Sequence, residues 1–232
     1  MDSNTTPSLE NNYRSVEQSI DLFCCQFDRH RGDVQLIAVS KKKPATQIES
    51  LYHLGHRAFG ESYVQEAVEK IEALAALDIE WHFIGPIQSN KTRLIAEHFD
   101  WVHSVASLKV AQRLSDQRQQ HQAPLNVLIQ VNISHETSKS GIAMDEVIEL
   151  ANKVSGLPRL KLRGLMAIPA VSASFAEQRD TFLRLAELLK QLNQQFPDVD
   201  CLSMGMSGDL EAAIAAGSTH VRIGTAIFGA RQ

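Results

Sequence analysis

The chain has 232 residues, a formal net charge of −4 and 44% hydrophobic residues, which suits one soluble α/β barrel with a sizeable core. Mild acidity and a longest basic run of only Lys41-Lys42-Lys43 argue against a nucleic-acid partner. No apolar stretch approaches the length of a membrane span, so a membrane partner is not expected either.

Residues 1–7 are polar and lack the apolar core of a signal peptide. Leu9, Tyr13, Val16, Ile20, Phe23 and Phe27 then recur at helical spacing and predict a leading helix over residues 8–30. After the break at Gly32-Asp33, short apolar or β-rich runs predict strands at 34–40, 57–60, 81–85, 101–105, 125–133, 161–168, 200–204 and 219–224. Helical patterns fall between them at 45–54, 62–77, 107–120, 145–154, 175–196 and 210–216. Thr46, Ser107, Asp145 and Asp209 read as caps near helix starts, and Gly55, Gly156 and Gly217 follow three helix ends. Strand and helix alternate about eight times with no linker-like composition shift, which predicts a closed (β/α)8 TIM barrel with an extra amino-terminal helix, one domain over residues 1–232. Cys24 and Cys25 are adjacent and Cys201 stands alone, so neither a disulfide framework nor a C-x-x-C metal signature is present, and a reducing cytoplasm is the expected setting.

In such barrels the chemistry sits where strands end, and here those ends are polar and glycine-rich. The first strand finishes on Lys41. A lysine flanked there by apolar residues is partly desolvated, which lowers its pKa and frees the amine to attack a carbonyl as a Schiff-base nucleophile. The competing reading is a solvated basic triplet before a proline. The loops after the seventh and eighth strands, Met204-Gly205-Met206-Ser207-Gly208 and Arg222-Ile223-Gly224-Thr225, occupy the positions where barrels hold a phosphate on backbone amides. Ser207 and Thr225 add hydroxyl donors. Together with Lys41 they point to a phosphorylated aldehyde.

Residues 38–41, 59–61, 81–91, 138–141, 163–169, 204–207 and 221–225 together resemble the pyridoxal phosphate homeostasis protein family, whose barrel is similar to the amino-terminal domain of alanine racemase. The resemblance runs over nearly the whole chain. It implies that Lys41 holds pyridoxal 5'-phosphate as a Schiff base, that Ser207, Gly224 and Thr225 hold the phosphate, that Arg222 faces the pyridine nitrogen, and that Met166 belongs to the cofactor site. One position departs from the family pattern: Ser62 stands where Asn is usual after Gly60-Glu61.

A guanidinium beside the ring nitrogen forces that nitrogen to act as an acceptor, which weakens the cofactor as an electron sink. Alanine racemases add a catalytic tyrosine from a separate β-domain. The present chain reaches Arg231-Gln232 straight after the eighth strand and its short helix, and its three tyrosines, Tyr13, Tyr52 and Tyr63, all lie early. The resemblance therefore implies a carrier or regulator of vitamin B6, amino acids and keto acids, without robust turnover, with apo forms of pyridoxal-phosphate enzymes as recipients and a monomeric state. The alternatives are a weak amino-acid racemase or transaminase, and a cofactor-free Schiff-base aldolase. Other groups read as structural: His53 and His56 straddle a helix end, His82 packs within a strand, Asp209 and Glu211 open a helix, and Lys91 and Lys139 are loop lysines. Met166, Met204 and Met206 are expected to shape the pocket wall.

Overall fold

The structure, a computed structural model, describes residues 8–134 and 140–230, so Ser138 and Lys139 of the 138–141 motif lie outside the described residues. Eight parallel strands follow one another around a closed barrel in chain order: β1 (Gln35–Val39), β2 (Ala58–Glu61), β3 (Glu80–Phe83), β4 (Trp101–Val105), β5 (Leu125–Val131), β6 (Leu160–Ala167), β7 (Cys201–Ser203) and β8 (His220–Ile223). β1 and β8 close the ring, with Ile37 opposite Arg222. The connecting helices are α1 (Leu9–Gln26), α2 (Ala45–His53), α3 (Val64–Ala73), α4 (Thr92–His98), α5 (Leu108–Gln117), α6 (Val147–Ser155), α7 (Phe175–Gln195), α8 (Leu210–Ala215) and α9 (Thr225–Phe228). This is the predicted barrel, with α1 as the predicted extra helix.

Alternate residues of each strand face the helices or the barrel interior, which separates two cores. Between barrel and helices lie Phe59, Phe83, Phe99, Ile48, Leu51, Ile95, Leu114 and Phe182, all fully buried, each contributing roughly 1.5–3 kcal/mol. Inside the barrel, Trp101, Leu128, Met166 and Cys201 form a small apolar cluster of their own. Ile37, fully buried and in register with Arg222, is interior as well, and beside these apolar groups the interior carries the polar side chains of His82, His103, Ser203, His220 and Arg222.

α1 begins at Ser8, whose hydroxyl accepts the Asn11 N–H, and buries Val16, Ile20 and Cys24 at four-residue spacing. Its polar flank ties to the barrel's last elements through Asn12 Nδ2 to the Ile227 carbonyl at 3.1 Å. Arg29, just beyond the helix, donates to the Ile214 and Ser218 carbonyls.

Some details differ from the sequence expectations. Ser107 caps α5 as expected, but Pro44, not Thr46, occupies the cap position of α2, because a proline's fixed φ suits a helix entrance. Asp145 sits in a 3-10 turn ahead of α6. The Asp209 carboxylate turns back to accept the Met206 N–H instead of capping α8. α4 was not predicted: of its seven residues only Thr92, Ile95 and Ala96 are buried, too short a stripe to stand out after a polar loop.

Candidate functional site

A cavity of about 300 Å³ opens at the carboxyl ends of the strands. Its wall includes Lys41, Ser207, Arg222, Gly224 and Thr225, so five of the six residues expected to hold the cofactor meet in one place. Met166 is the exception. It is 1% exposed and packs inside the barrel with Trp101, Leu128 and Cys201, below the cavity. Met204 is buried in the outer core, and only Met206 of the three methionines lines the wall.

Lys41 lies in the turn just past β1, and that turn is pinned from beneath. The Ser40 N–H donates to the Gly60 carbonyl at 3.0 Å, and the Ser40 hydroxyl donates to Glu61 Oε1 at 2.7 Å. Lys70 of α3 reaches the Ser40 carbonyl at 2.9 Å, Glu61 Oε1 at 2.8 Å and Glu66 Oε1 at 2.6 Å. Lys42 adopts a left-handed φ of 61° and donates its N–H to Glu66, a conformation that costs energy for a side chain other than glycine. Burial pushes the Glu61 carboxyl above its usual range, opposed by the Lys70 ammonium and the Ser40 hydroxyl. The residue before Lys41 is thus held by a buried ion pair.

The second wall is the β7–α8 loop. Gly205, at φ +99°, makes a bend where a Cβ would lie 2.6 Å from Ala213 Cβ. Asp209 then locks the turn by accepting the Met206 N–H, and burial raises its carboxyl above the usual range. Ser207 and Gly208 follow at the cavity, with open space where a Gly208 Cβ would be. Across from them, Gly224 and Thr225 begin α9, whose opening amides have no preceding turn to bond.

Arg222 forms the floor at 4% exposure. It donates from Nη1 to Ser203 Oγ at 2.7 Å and from Nη2 to the Ala167 carbonyl at 3.0 Å. Burial lowers the guanidinium to about 10, which leaves it a cation at neutral pH.

Two further residues line the same cavity. Lys43 is turned inward with Nζ 2.9 Å from the Phe228 carbonyl and 3.0 Å from the Ala230 carbonyl. Ser62 is in the wall as well, and its backbone packs so tightly on Gly85 that a Cβ there would come within 2.3 Å of the Ser62 carbonyl. Lys91 ends a 3-10 turn outside the cavity, and Lys139 lies outside the described residues. His56 bonds the Ala58 carbonyl through Nε2, and His82 is fully buried between His103 and Glu80.

Sequence reading missed Lys70 and Ser203. Lys70 has the i,i+4 spacing to Glu66 of an ordinary surface pair, and only the tertiary fold places Ser40 and Glu61 against it. Ser203 gave one usable signal, a hydroxyl at the carboxyl end of the short strand after Cys201 and Leu202.

The arrangement places a primary amine, a cup of hydroxyls and amides, and a buried cation around a single cavity. That donor set fits a flat carbonyl compound bearing a phosphate and a ring acceptor.

Comparison with known proteins agrees. The alanine racemase N-terminal domain family matches residues 25–232. The pyridoxal phosphate homeostasis protein of Haemophilus influenzae is 53% identical over 229 residues, covering 97% of each chain. PipY of Synechococcus elongatus, solved with pyridoxal phosphate bound, superposes with a TM-score of 0.79 at 36% identity, covering 90% of this chain and 99% of that one. An alanine racemase of Clostridium difficile shares the fold alone, with a TM-score of 0.74 at 14% identity over 98% of this chain and 60% of the racemase. The chain belongs to the pyridoxal phosphate homeostasis protein family, built on the alanine racemase N-terminal barrel.

Proposed function

We propose that this cavity is the pyridoxal 5'-phosphate site and that the chain acts in vitamin B6 homeostasis as a carrier or regulator. The observation that carries the reading is the meeting of Lys41, Ser207, Gly224, Thr225 and Arg222 on one cavity wall. Binding of pyridoxal phosphate by this chain follows the family, and the PipY relative was solved with that cofactor bound.

When bound, the cofactor supplies an aldehyde and a ring able to take up negative charge. Lys41 would hold the cofactor through its primary amine, the kind of group a Schiff base needs. Ser207, with the amides of Gly208 and Thr225, takes the phosphate, and Arg222 aims its remaining N–H donors at the ring nitrogen. Lys43 keeps its ammonium on the Phe228 and Ala230 carbonyls and adds positive charge to the wall.

A carrier role is favoured over a racemase or transaminase by what surrounds the cavity. A permanently charged guanidinium keeps the ring nitrogen unprotonated, so negative charge is poorly delocalised. None of Tyr13, Tyr52 and Tyr63 lines the cavity wall; Tyr63 lies outside it, beneath the Lys42 ammonium. Among the described residues, no tyrosine therefore faces an amino acid bound there as a second acid or base. Amino acids and apo enzymes that need the cofactor are the proposed exchange partners, the monomer is the proposed working unit, and the cytoplasm the proposed compartment. No helix among the described residues is long and apolar enough to cross a membrane.

The test is Cα proton exchange. The loaded protein is incubated with L- and D-amino acids in deuterated water, and deuteration and enantiomer ratio are followed. Slow exchange that disappears in Lys41→Ala supports the carrier. Turnover near the enzyme median of roughly 10 per second would overturn it in favour of the racemase. A protein that stays colourless with pyridoxal phosphate yet forms an imine with a sugar phosphate would favour the aldolase.

A further inference from the structure

The interior of a (β/α)8 barrel is ordinarily filled with branched apolar side chains. One side of this interior instead carries polar residues joined end to end. Arg222 Nη1 donates to Ser203 Oγ at 2.7 Å, and Ser203 Oγ lies 2.8 Å from His103 Nδ1. His103 Nε2 is 2.9 Å from His82 Nδ1, and His82 Nε2 is 2.8 Å from Glu80 Oε1. The column descends from the cavity floor on β8 and β7, crosses to β4, and ends at the first residue of β3. Four of its five members are buried; the Glu80 side chain is 37% exposed and also accepts from Gln35 Nε2 and Trp101 Nε1.

The ends of the column dictate the protons between them. A guanidinium has only donors and a carboxylate only acceptors. Ser203 therefore accepts from Arg222 and gives its own O–H to His103 Nδ1. His103 is then neutral, with its proton on Nε2 pointing at His82 Nδ1. His82 in turn carries its proton on Nε2, directed at Glu80. Turning either ring over alone would set two N–H groups, or two lone pairs, face to face. Turning both would aim a lone pair of His82 at the carboxylate and leave the Ser203 hydroxyl without an acceptor in the column.

The charge states agree. Burial, and then the neighbouring His82, His220 and Arg222, hold His103 well below its usual value, so it is neutral. Burial raises Glu80, but the hydrogen bond from His82, with Gln35 and Trp101 also donating, brings it down to about 2, so it is a carboxylate. The groups facing His103 are His82, His220, Trp101, Ser203 and Arg222, with ring centroids 5.2, 6.0 and 6.1 Å away for the first three.

We propose that Ser203, His103 and His82 are positioning residues: a one-way chain of hydrogen bonds that couples the Arg222 cation to the Glu80 anion and fixes the guanidinium in the orientation it presents to the cavity. The consequence for the cofactor rests on the function proposed above; the chain itself does not. A guanidinium held on one side by Ser203 and the Ala167 carbonyl cannot swing away from a ring acceptor, and each bond in a polarised chain strengthens the next. His82 and His103 would otherwise be two packed imidazoles whose tautomers matter only to stability.

Two measurements test the chain. Histidine ring ¹⁵N correlation spectra of the cofactor-free wild-type protein at about pH 8 should show His103 and His82 neutral with the proton on Nε2. A proton on Nδ1 of either ring, or an imidazolium at His103, overturns the proposal. In the loaded protein, the readout is the pH at which the visible cofactor band titrates. His103→Gln retains an acceptor for Ser203 and a donor for His82, so its midpoint should stay at the wild-type value. His103→Leu breaks the column below Ser203 and leaves its hydroxyl without the acceptor that orients it, which loosens its hold on Arg222 and should raise the midpoint by about one unit, the size of one hydrogen bond to a charged group. Equal midpoints in the two variants would overturn the proposal. Should His103→Leu fail to fold, Ser203→Ala removes only one hydroxyl and takes its place. Absence of any visible band would defeat the proposed function while leaving the tautomer result to stand or fall alone.

Discussion

Lys70 Nζ lies 2.9 Å from the carbonyl oxygen of Ser40, so a helix residue outside the barrel grips the backbone immediately before Lys41. The grip exists because Glu61, fully buried at the end of β2, needs a cation, and Lys70 is 8% exposed beside it. Removing one partner leaves the other charge buried alone. Lys70→Met should cost roughly 3–5 kcal/mol, read as a lower urea midpoint with an unchanged slope. Lys70→Met combined with Glu61→Leu should recover much of that loss. If the double variant is as unstable as the single one, the ion pair is not what holds the turn.

Lys41→Ala should abolish the covalent link to pyridoxal phosphate while leaving the fold intact, since the substitution falls in a turn at the cavity edge. Borohydride reduction followed by peptide mapping is the measurement. Lys43 is the informative control because it lines the same cavity, yet its ammonium is committed to the Phe228 and Ala230 carbonyls. Trapping mainly on Lys43 or Lys42 in the wild-type protein would sink the assignment.

Ser207→Ala should weaken pyridoxal phosphate by roughly 1–3 kcal/mol, the range for a lost charge-assisted hydrogen bond, and unphosphorylated pyridoxal much less. The difference between the two ligands, measured by absorbance titration, is the result of interest. Equal weakening of both would place the phosphate elsewhere.

Acid should destabilise the protein through its buried histidines. Burial lowers His56 to about 4 and His220 to about 3, below the roughly 6.5 of an unfolded chain. Between those values the unfolded state binds more protons. The stability each histidine contributes is therefore complete above about pH 6.5 and is lost as pH falls toward its folded value, about 2 kcal/mol per histidine by pH 5. Glu61 and Asp100, both raised by burial, act in the opposite sense. Comparing wild type with His56→Gln, which retains a donor for the Ala58 carbonyl, isolates one histidine: the variant should lose less stability between pH 7 and pH 5. Parallel pH dependences would show that His56 is not held neutral.

The sequence by itself determined the barrel and several of the residues that gather at its mouth. Short apolar runs alternating with period-3.6 stripes are local properties of the chain, and so are the lysine at a strand end and the glycine-rich loops that identify the family. Lys41, Ser207, Arg222, Gly224 and Thr225 were legible because a parallel barrel sends every strand end to one face. Tertiary structure decided what depends on the pleat and on distant neighbours. Whether Met166 reaches the cavity or packs on Trp101 is set by how deep its position lies in the barrel, which periodicity does not reveal. Lys43 turns inward because the end of α9 offers it two carbonyls, and these come from residues 185 and 187 positions away. Lys70, Glu61 and Ser40, like the column from Arg222 to Glu80, acquire their partners only when separate strands and helices close together, because a buried polar group is defined by what it must bond to and not by its own identity.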